Sequence, residues 1–108
     1  MTELELKTAV LDSLKSPVMF CDLEHVIRYM NQPAMEHYKD SNFLLGKSVL
    51  DCHNENSQRQ MLEILERMQK QELEEELIVE TLKKRVWMRA VRNRHGTLIG
   101  YYERYEFR

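Results

Sequence analysis

The sequence predicts an α+β domain whose mostly antiparallel sheet is covered on one face by helices, and three observations predict it. Two short apolar runs, residues 18–21 and 26–30, flank a polar turn near the start. A helix over about residues 58–70 carries Met61, Leu62, Ile64, Leu65 and Met68 on one face. Three strand-like segments, 74–81, 85–92 and 97–107, close the chain. Strands at both ends with helices between them make a layered α+β arrangement.

Each element has a local cause. Residues 2–15 read as a helix because Thr2 and Glu5 form a capping box and Leu6, Val10, Leu11 and Leu14 make one stripe. Ser16-Pro17 stops it, since the residue before proline avoids helical geometry. Asp22-Leu-Glu-His25 is a turn joining two strands into a hairpin. Asn31 caps a short helix with Pro33 in its first turn, and Asp40-Ser-Asn and Gly46 mark breaks. Ser57 with Gln60 forms a second capping box, placing the longer helix start near residue 58. In the fourth strand Val86, Met88 and Ala90 alternate with Trp87, Arg89 and Val91, which gives the sheet two unlike faces. Asn93-Arg-His-Gly96 is the last turn, with Gly96 suited to a positive φ.

Length and composition bound the function. The 108 residues hold one domain, with 43% hydrophobic and 31% charged residues and a net charge of −2. Basic and acidic residues are interspersed, so Lys83-Lys84-Arg85 through Arg94 is not a nucleic-acid footprint, and no nucleic-acid partner is expected. No apolar run approaches a membrane span and the start is acidic rather than signal-like, so a cytoplasmic protein without membrane contact is expected. The two cysteines, Cys21 and Cys52, are expected to be reduced thiols.

The stretch Leu50-Asp-Cys-His-Asn-Glu-Asn-Ser57 invites a metal or thiol reading. A metal site needs three or four convergent ligands, and Cys21, His25, His37, Cys52, His53 and His95 show no paired zinc spacing. Neighbouring side chains diverge on a helix, so His53 is not placed to activate Cys52. No acid/base pair appears either, and an enzyme is not expected. The favoured reading is structural: His53 ends one short helix and bonds to backbone, while Asn56 or Ser57 caps the next.

Several segments in this order resemble PAS domains. Val26-Ile-Arg-Tyr-Met-Asn-Gln-Pro-Ala-Met-Glu-His-Tyr38 resembles the family's second strand and first helix. Leu44-Leu-Gly-Lys-Ser-Val-Leu-Asp-Cys-His53 is similar to its Gly-(Lys/Arg)-Ser step and following short helix, and Asn93 to Tyr101 resembles its last hairpin. The resemblance spans roughly residues 10 to 107. Cys-His followed by Ser57 also resembles a PAS subgroup with a Cys-His-Pro-Pro-Lys-Ser motif, although Asn54 and Glu55 stand where the prolines would be. The resemblance implies a five-stranded sheet in order 2-1-5-4-3, a core over residues 16–108, a flanking helix over 1–15, and a small cavity beneath the helices. It also implies sensing of a ligand, light or redox state, or dimerisation. The family's Asp-Ile-Thr ending is replaced here by Glu103-Arg-Tyr-Glu-Phe-Arg108, so the signal is expected to leave through a partner chain or a larger system.

The same resemblance sets the candidate residues. Met61, Leu65 and Met68, with Met35 and Met88, form a methionine-rich apolar set suited to core or to an adaptable pocket. Tyr29, Tyr38 and Tyr102 could orient a small apolar or planar ligand there. Haem held by His53, with Met61, is the alternative cofactor reading. Flavin is not expected, because Val49 stands where the flavin-binding subgroup has its reactive cysteine. Leu6, Val10 and Leu14 on the first helix, facing Trp87 and Val91 on the sheet, are the expected surface for a homodimer or a signalling partner. A ligand-free dimerisation module is the competing reading.

Overall fold

A computed structural model describes residues Met1–Arg108. The elements run α1 (Glu3–Asp12), β1 (Met19–Asp22), β2 (Ile27–Met30), α2 (Gln32–His37), α3 (Glu55–Lys70), β3 (Glu75–Glu80), β4 (Lys84–Arg92) and β5 (Leu98–Phe107). Single 3₁₀ turns occupy Ser41–Phe43 and Val49–Cys52. The strands form one antiparallel sheet in the order β2-β1-β5-β4-β3, as the resemblance implies.

Caps set most boundaries. The Glu5 amide donates to Thr2 Oγ1 at 3.0 Å, and the Ala34 amide donates to Asn31 Oδ1 at 3.0 Å. Two boundaries differ from the sequence expectation. α1 ends at Asp12 rather than near residue 15, where Ser13 turns back to donate its hydroxyl to the Val10 carbonyl at 2.6 Å. α3 begins one turn earlier than expected: Asn54, not Asn56 or Ser57, is its cap, and Asn54 Oδ1 accepts from the Ser57 amide at 2.9 Å. The earlier start places Glu55 in the first turn, where a carboxylate complements the helix dipole.

The core lies between the sheet and α3. Met61, Ile64, Leu65 and Met68 from α3 pack with Met19, Cys21, Met88, Ala90 and Tyr101 from the strands. Burial alternates along β4, so Val86, Met88 and Ala90 face α3 while Arg85, Trp87, Arg89 and Val91 face outward. Two half-buried anchors hold α3 in place. At its start, Gln58 Nε2 donates to the carbonyls of Leu50 and His53 at 2.8 and 2.9 Å. Near its end, Arg92 Nη2 donates to the Met68 carbonyl at 2.7 Å, satisfying a last-turn acceptor.

The free edge of β2 is covered by the loop ahead of Val49. The Gly46 amide donates to the Ile27 carbonyl at 2.8 Å, the Ile27 amide to the Lys47 carbonyl at 2.9 Å. Gly46 and Gly96 both hold φ at +84°, the left-handed conformation glycine adopts most readily.

Candidate functional site

A cavity of about 200 Å³ opens beneath the N-terminal half of α3. His53, Ser57, Gln60 and Met61 line it from the helix side; Ile78, Val79, Lys84, Val86, Glu103 and Tyr105 line it from the sheet. Its most telling residue is Glu103, a carboxylate only 6% exposed. β5 explains its position: Tyr101, Glu103 and Tyr105 share the inward phase of the strand, opposite Ala90, Met88 and Val86.

Glu103 is held by two phenols. Tyr105 donates to Glu103 Oε2 at 3.0 Å, and Tyr38 Oη lies 3.4 Å from the same oxygen and is itself hydrogen-bonded to Tyr105. Burial, and then the nearby carboxylate, push both phenols well above the ordinary tyrosine value. Both are therefore neutral donors. The other carboxylate oxygen, Oε1, faces His53 Nε2 at 4.0 Å, beyond hydrogen-bond reach.

His53 is oriented from behind. Its Nδ1 lies 2.9 Å from the Val49 carbonyl oxygen. A carbonyl can only accept, so Nδ1 carries a proton and donates to it, which leaves Nε2 turned toward the cavity. The 3₁₀ turn Val49–Cys52, fixed by Gln58, sets this aim. Cys52 is exposed and takes no part, and no three His, Cys, Asp or Glu side chains converge as metal ligands would.

A second buried polar pair lies deeper. Tyr101 Oη is 2.6 Å from His25 Nδ1, and His25 is buried at a left-handed φ of 66°. Burial lowers the His25 pKa, with Asp22 opposing, so its ring is held neutral. Burial likewise pushes the Cys21 thiol up to about 12, with Glu103 adding to the effect.

The sequence candidates divide across the sheet. His53 and Met61 do line the cavity. Leu65, Met68 and Met88 are packed core and line neither large cavity, while Met35 is 39% exposed on α2. Tyr29 and Tyr102 were expected to orient a ligand under the helix, but both lie on the opposite face. Each pairs with Phe20 in register, and Phe20 is in the outward phase. With a side-chain period of two, one position along β5 separates Tyr102 from the inward Tyr101. One ligand cannot touch both sets.

The outward face carries an apolar groove of about 640 Å³ between the end of α1 and the sheet. Leu14 and Val91 line it together with Phe20, Tyr29, Ile99 and Tyr102. Leu6 and Val10 stand on α1 away from the groove and exposed. Trp87 lies beyond its rim, beneath the Arg104 guanidinium at 5.2 Å, and Arg104 is paired with Glu75 at 2.9 Å.

Glu103 and Tyr105 are the site residues that sequence reasoning missed. The signal was present, because a glutamate in phase with Tyr101 and Tyr105 breaks the apolar alternation of an inward strand face. The sequence reading placed it only within the closing segment Glu103–Arg108 and gave it no role in the site.

An antiparallel five-stranded sheet roofed by a helix, with a small cavity between them, defines a sensory-domain architecture. A family model described as PAS domain matches residues 8–103, and the chain belongs to that family. No curated protein matches it in sequence. Among solved structures, a C-terminal domain from Streptococcus mutans superposes with a TM-score of 0.79 at 18% identity, covering 98% of this chain and 85% of that one. The PAS domain of BvgS from Bordetella pertussis superposes at 0.67 with 19% identity, covering 98% and 86%. The Aer2 receptor of Vibrio cholerae, described as a dual PAS-heme oxygen sensor, superposes at 0.56 with 18% identity, covering 85% and 93%. These likenesses establish the fold.

Haem does not fit the cavity as built. His53 Nε2 is free and aimed inward, as an axial ligand would be, but about 200 Å³ is below the roughly 300–1,000 Å³ that holds drug-sized ligands. A porphyrin placed there would also press against the Glu103 carboxylate.

Proposed function

We propose that this chain is a PAS-type sensory domain, without catalytic activity of its own, that takes a small ligand in the cavity beneath α3. One observation carries the reading: a buried carboxylate, Glu103, keeps one oxygen turned into that cavity with no protein donor on it. A carboxylate oxygen that opens onto a cavity rather than onto packed protein is met there by whatever fills the cavity, a water or a ligand. The expected apolar or planar ligand is narrowed to one that also offers hydrogen-bonding groups.

The signal leaves through β5. Glu103 faces the cavity, whereas its neighbours Tyr102 and Arg104 line the outer groove. A ligand that prefers one position of β5 shifts the population of outer-face arrangements by its differential affinity. A second copy or a signalling partner that contacts α1 and the groove then reads the change.

Native mass spectrometry of the protein purified from its source tests the reading, together with methyl NMR of Met61. A retained small molecule whose removal moves the Met61 methyl resonance is the expected result. A chain that carries nothing and shows no Met61 response to any member of a metabolite panel would sink it.

The ligand-free dimerisation module has its own support. α1 buries none of its residues, and Leu6 and Val10 are 54% and 55% exposed. Sedimentation of the wild type against the Leu6→Lys, Val10→Lys double variant tests it: a dimer that becomes a monomer supports it. A wild type that is monomeric at every concentration removes it.

A further inference from the structure

We infer that the outer groove is a second binding site, on the face of the sheet opposite the cavity beneath α3, and that its ligand is a free alkyl carboxylate of medium chain length. The inference goes beyond the sensory-cavity reading and stands whether or not that cavity takes a ligand.

The groove has the size and a direction. Its volume of about 640 Å³ lies within the roughly 300–1,000 Å³ that holds small organic ligands. At one end Val91 pairs with Gly100, beside Ile99. At the other, Ser16 Oγ donates to the Tyr105 carbonyl at 3.1 Å, which sets Lys15 and Ser16 against β5 next to Arg104. From Gly100 to Arg104 the strand rises about 13 Å, a span that an extended alkyl chain of medium length matches.

The wall is polarised along that direction. Leu11, Leu14, Val18, Phe20, Val91 and Ile99 make most of it apolar. Lys15 and Arg104 are its two charged residues, both basic and both at the Ser16 end, and no carboxylate lines it. Arg104 is held by Glu75 at 2.9 Å and by Glu106 at 3.8 Å, whereas Lys15 forms no ion pair and leaves its charge to a ligand. Asp12, the nearest acid along the chain, accepts from the Gln32 amide at 2.8 Å. An anionic head at Lys15 with an apolar tail toward Val91 matches both halves of the groove, and an alkylammonium would set like charge beside Lys15.

Tyr29 supplies an independent sign. It lines the groove, and its hydroxyl is buried without a hydrogen-bond partner. Tyr29 pairs with Phe20 and Phe20 with Tyr102, one outward position along β5 from Arg104. An unpartnered phenol gives up no protein hydrogen bond when it turns toward a ligand, and a carboxylate oxygen accepts from it.

The test is an NMR titration of the full chain with n-decanoate, and with n-decylammonium as the chain-matched cation, each below its micelle concentration. Decanoate should shift the Val91 and Ile99 methyl resonances saturably and leave the Met61 methyl in place. At low salt it should bind about fivefold or more tightly than decylammonium, a preference that added salt reduces. Lys15→Gln should bring the two compounds to within about twofold of each other. Ile99→Glu, at an exposed position that tolerates charge, should weaken decanoate about tenfold or more by charging the apolar end. Equal binding of the cation, or a decanoate affinity unchanged in Lys15→Gln, overturns the anionic ligand. Shifts confined to Met61 put decanoate beneath α3 and overturn the groove site. Decanoate that moves no groove resonance also overturns it: groove methyls that then respond to protein concentration assign the face to a second copy, and methyls that respond only to anionic phospholipid vesicles assign it to a membrane surface.

Discussion

The side-chain amide of Asn31 donates to the Leu11 carbonyl at 2.9 Å, so a fully buried residue at the start of α2 holds the last turn of α1. The same nitrogen lies 3.2 Å from the Ser16 carbonyl, and the side-chain oxygen accepts from the Val18 amide at 2.8 Å and the Ala34 amide at 3.0 Å. One amide thereby joins α1, the turn after it, β1 and α2.

Asn31→Ala should therefore destabilise the domain by about 3 kcal/mol, because buried backbone donors and acceptors are left unpaired rather than one bond being lost. Urea unfolding followed by circular dichroism measures it. Asn31→Asp should also destabilise, since a carboxylate cannot donate to the Leu11 and Ser16 carbonyls. A change under about 0.5 kcal/mol for Asn31→Ala, the range of ordinary surface substitutions, contradicts the role given to Asn31.

Gly100 is required for a different reason. A Cβ there would collide with the Cys21 carbonyl oxygen and fall 2.6 Å from the Phe20 ring, so β1 could not pair with β5 at this register. Gly100→Ala should cost about 3 kcal/mol or more, in the range of severe overpacking. Its thermal midpoint checks this, with Gly96→Ala as a milder comparison in which φ is strained but the space is open.

Acid stability should carry a histidine signature. His25 has its pKa lowered from 6.5 by burial, with Asp22 opposing. Between the depressed folded value and 6.5 the unfolded chain binds more protons than the folded one, so stability rises with pH there. The His25 contribution is fully present above 6.5 and is lost as pH falls toward the folded value. His25→Asn tolerates the left-handed φ of 66° and cannot titrate, so its unfolding free energy should vary less with pH in that window. A slope equal to that of the wild type would remove His25 as the cause.

The two cysteines should separate in reactivity. Cys52 is exposed, whereas Cys21 is buried with its thiol pushed up to about 12. An aromatic disulfide reagent at neutral pH should titrate one thiol rapidly, and the second only on unfolding. Cys52→Ser should abolish the fast phase.

Local pattern alone determined most of the elements. Thr2, Asn31 and Gly96 act where caps and turns place them, and the alternation of Val86, Met88 and Ala90 correctly set the inner face of β4. The helix stripe of Met61, Leu65 and Met68 was legible because burial follows a period near 3.6. The start of α3 was not, since Asn54 and Ser57 are both competent caps one turn apart and only the packing of Gln58 and His53 chooses between them.

Tertiary structure decided the site. Tyr29 and Tyr102 looked like ligand contacts by residue type, but strand register sent them to the outer face. Glu103 carried no assigned role in the sequence, but strand pairing set it inward opposite Met88, and long-range contacts brought Tyr38 and His53 around it. A sequence states which residues can face the same way along one strand. Which strand lies beside it, and which loop closes over it, depends on contacts between segments far apart in the chain, and those contacts turned a glutamate, two tyrosines and a histidine into one cavity.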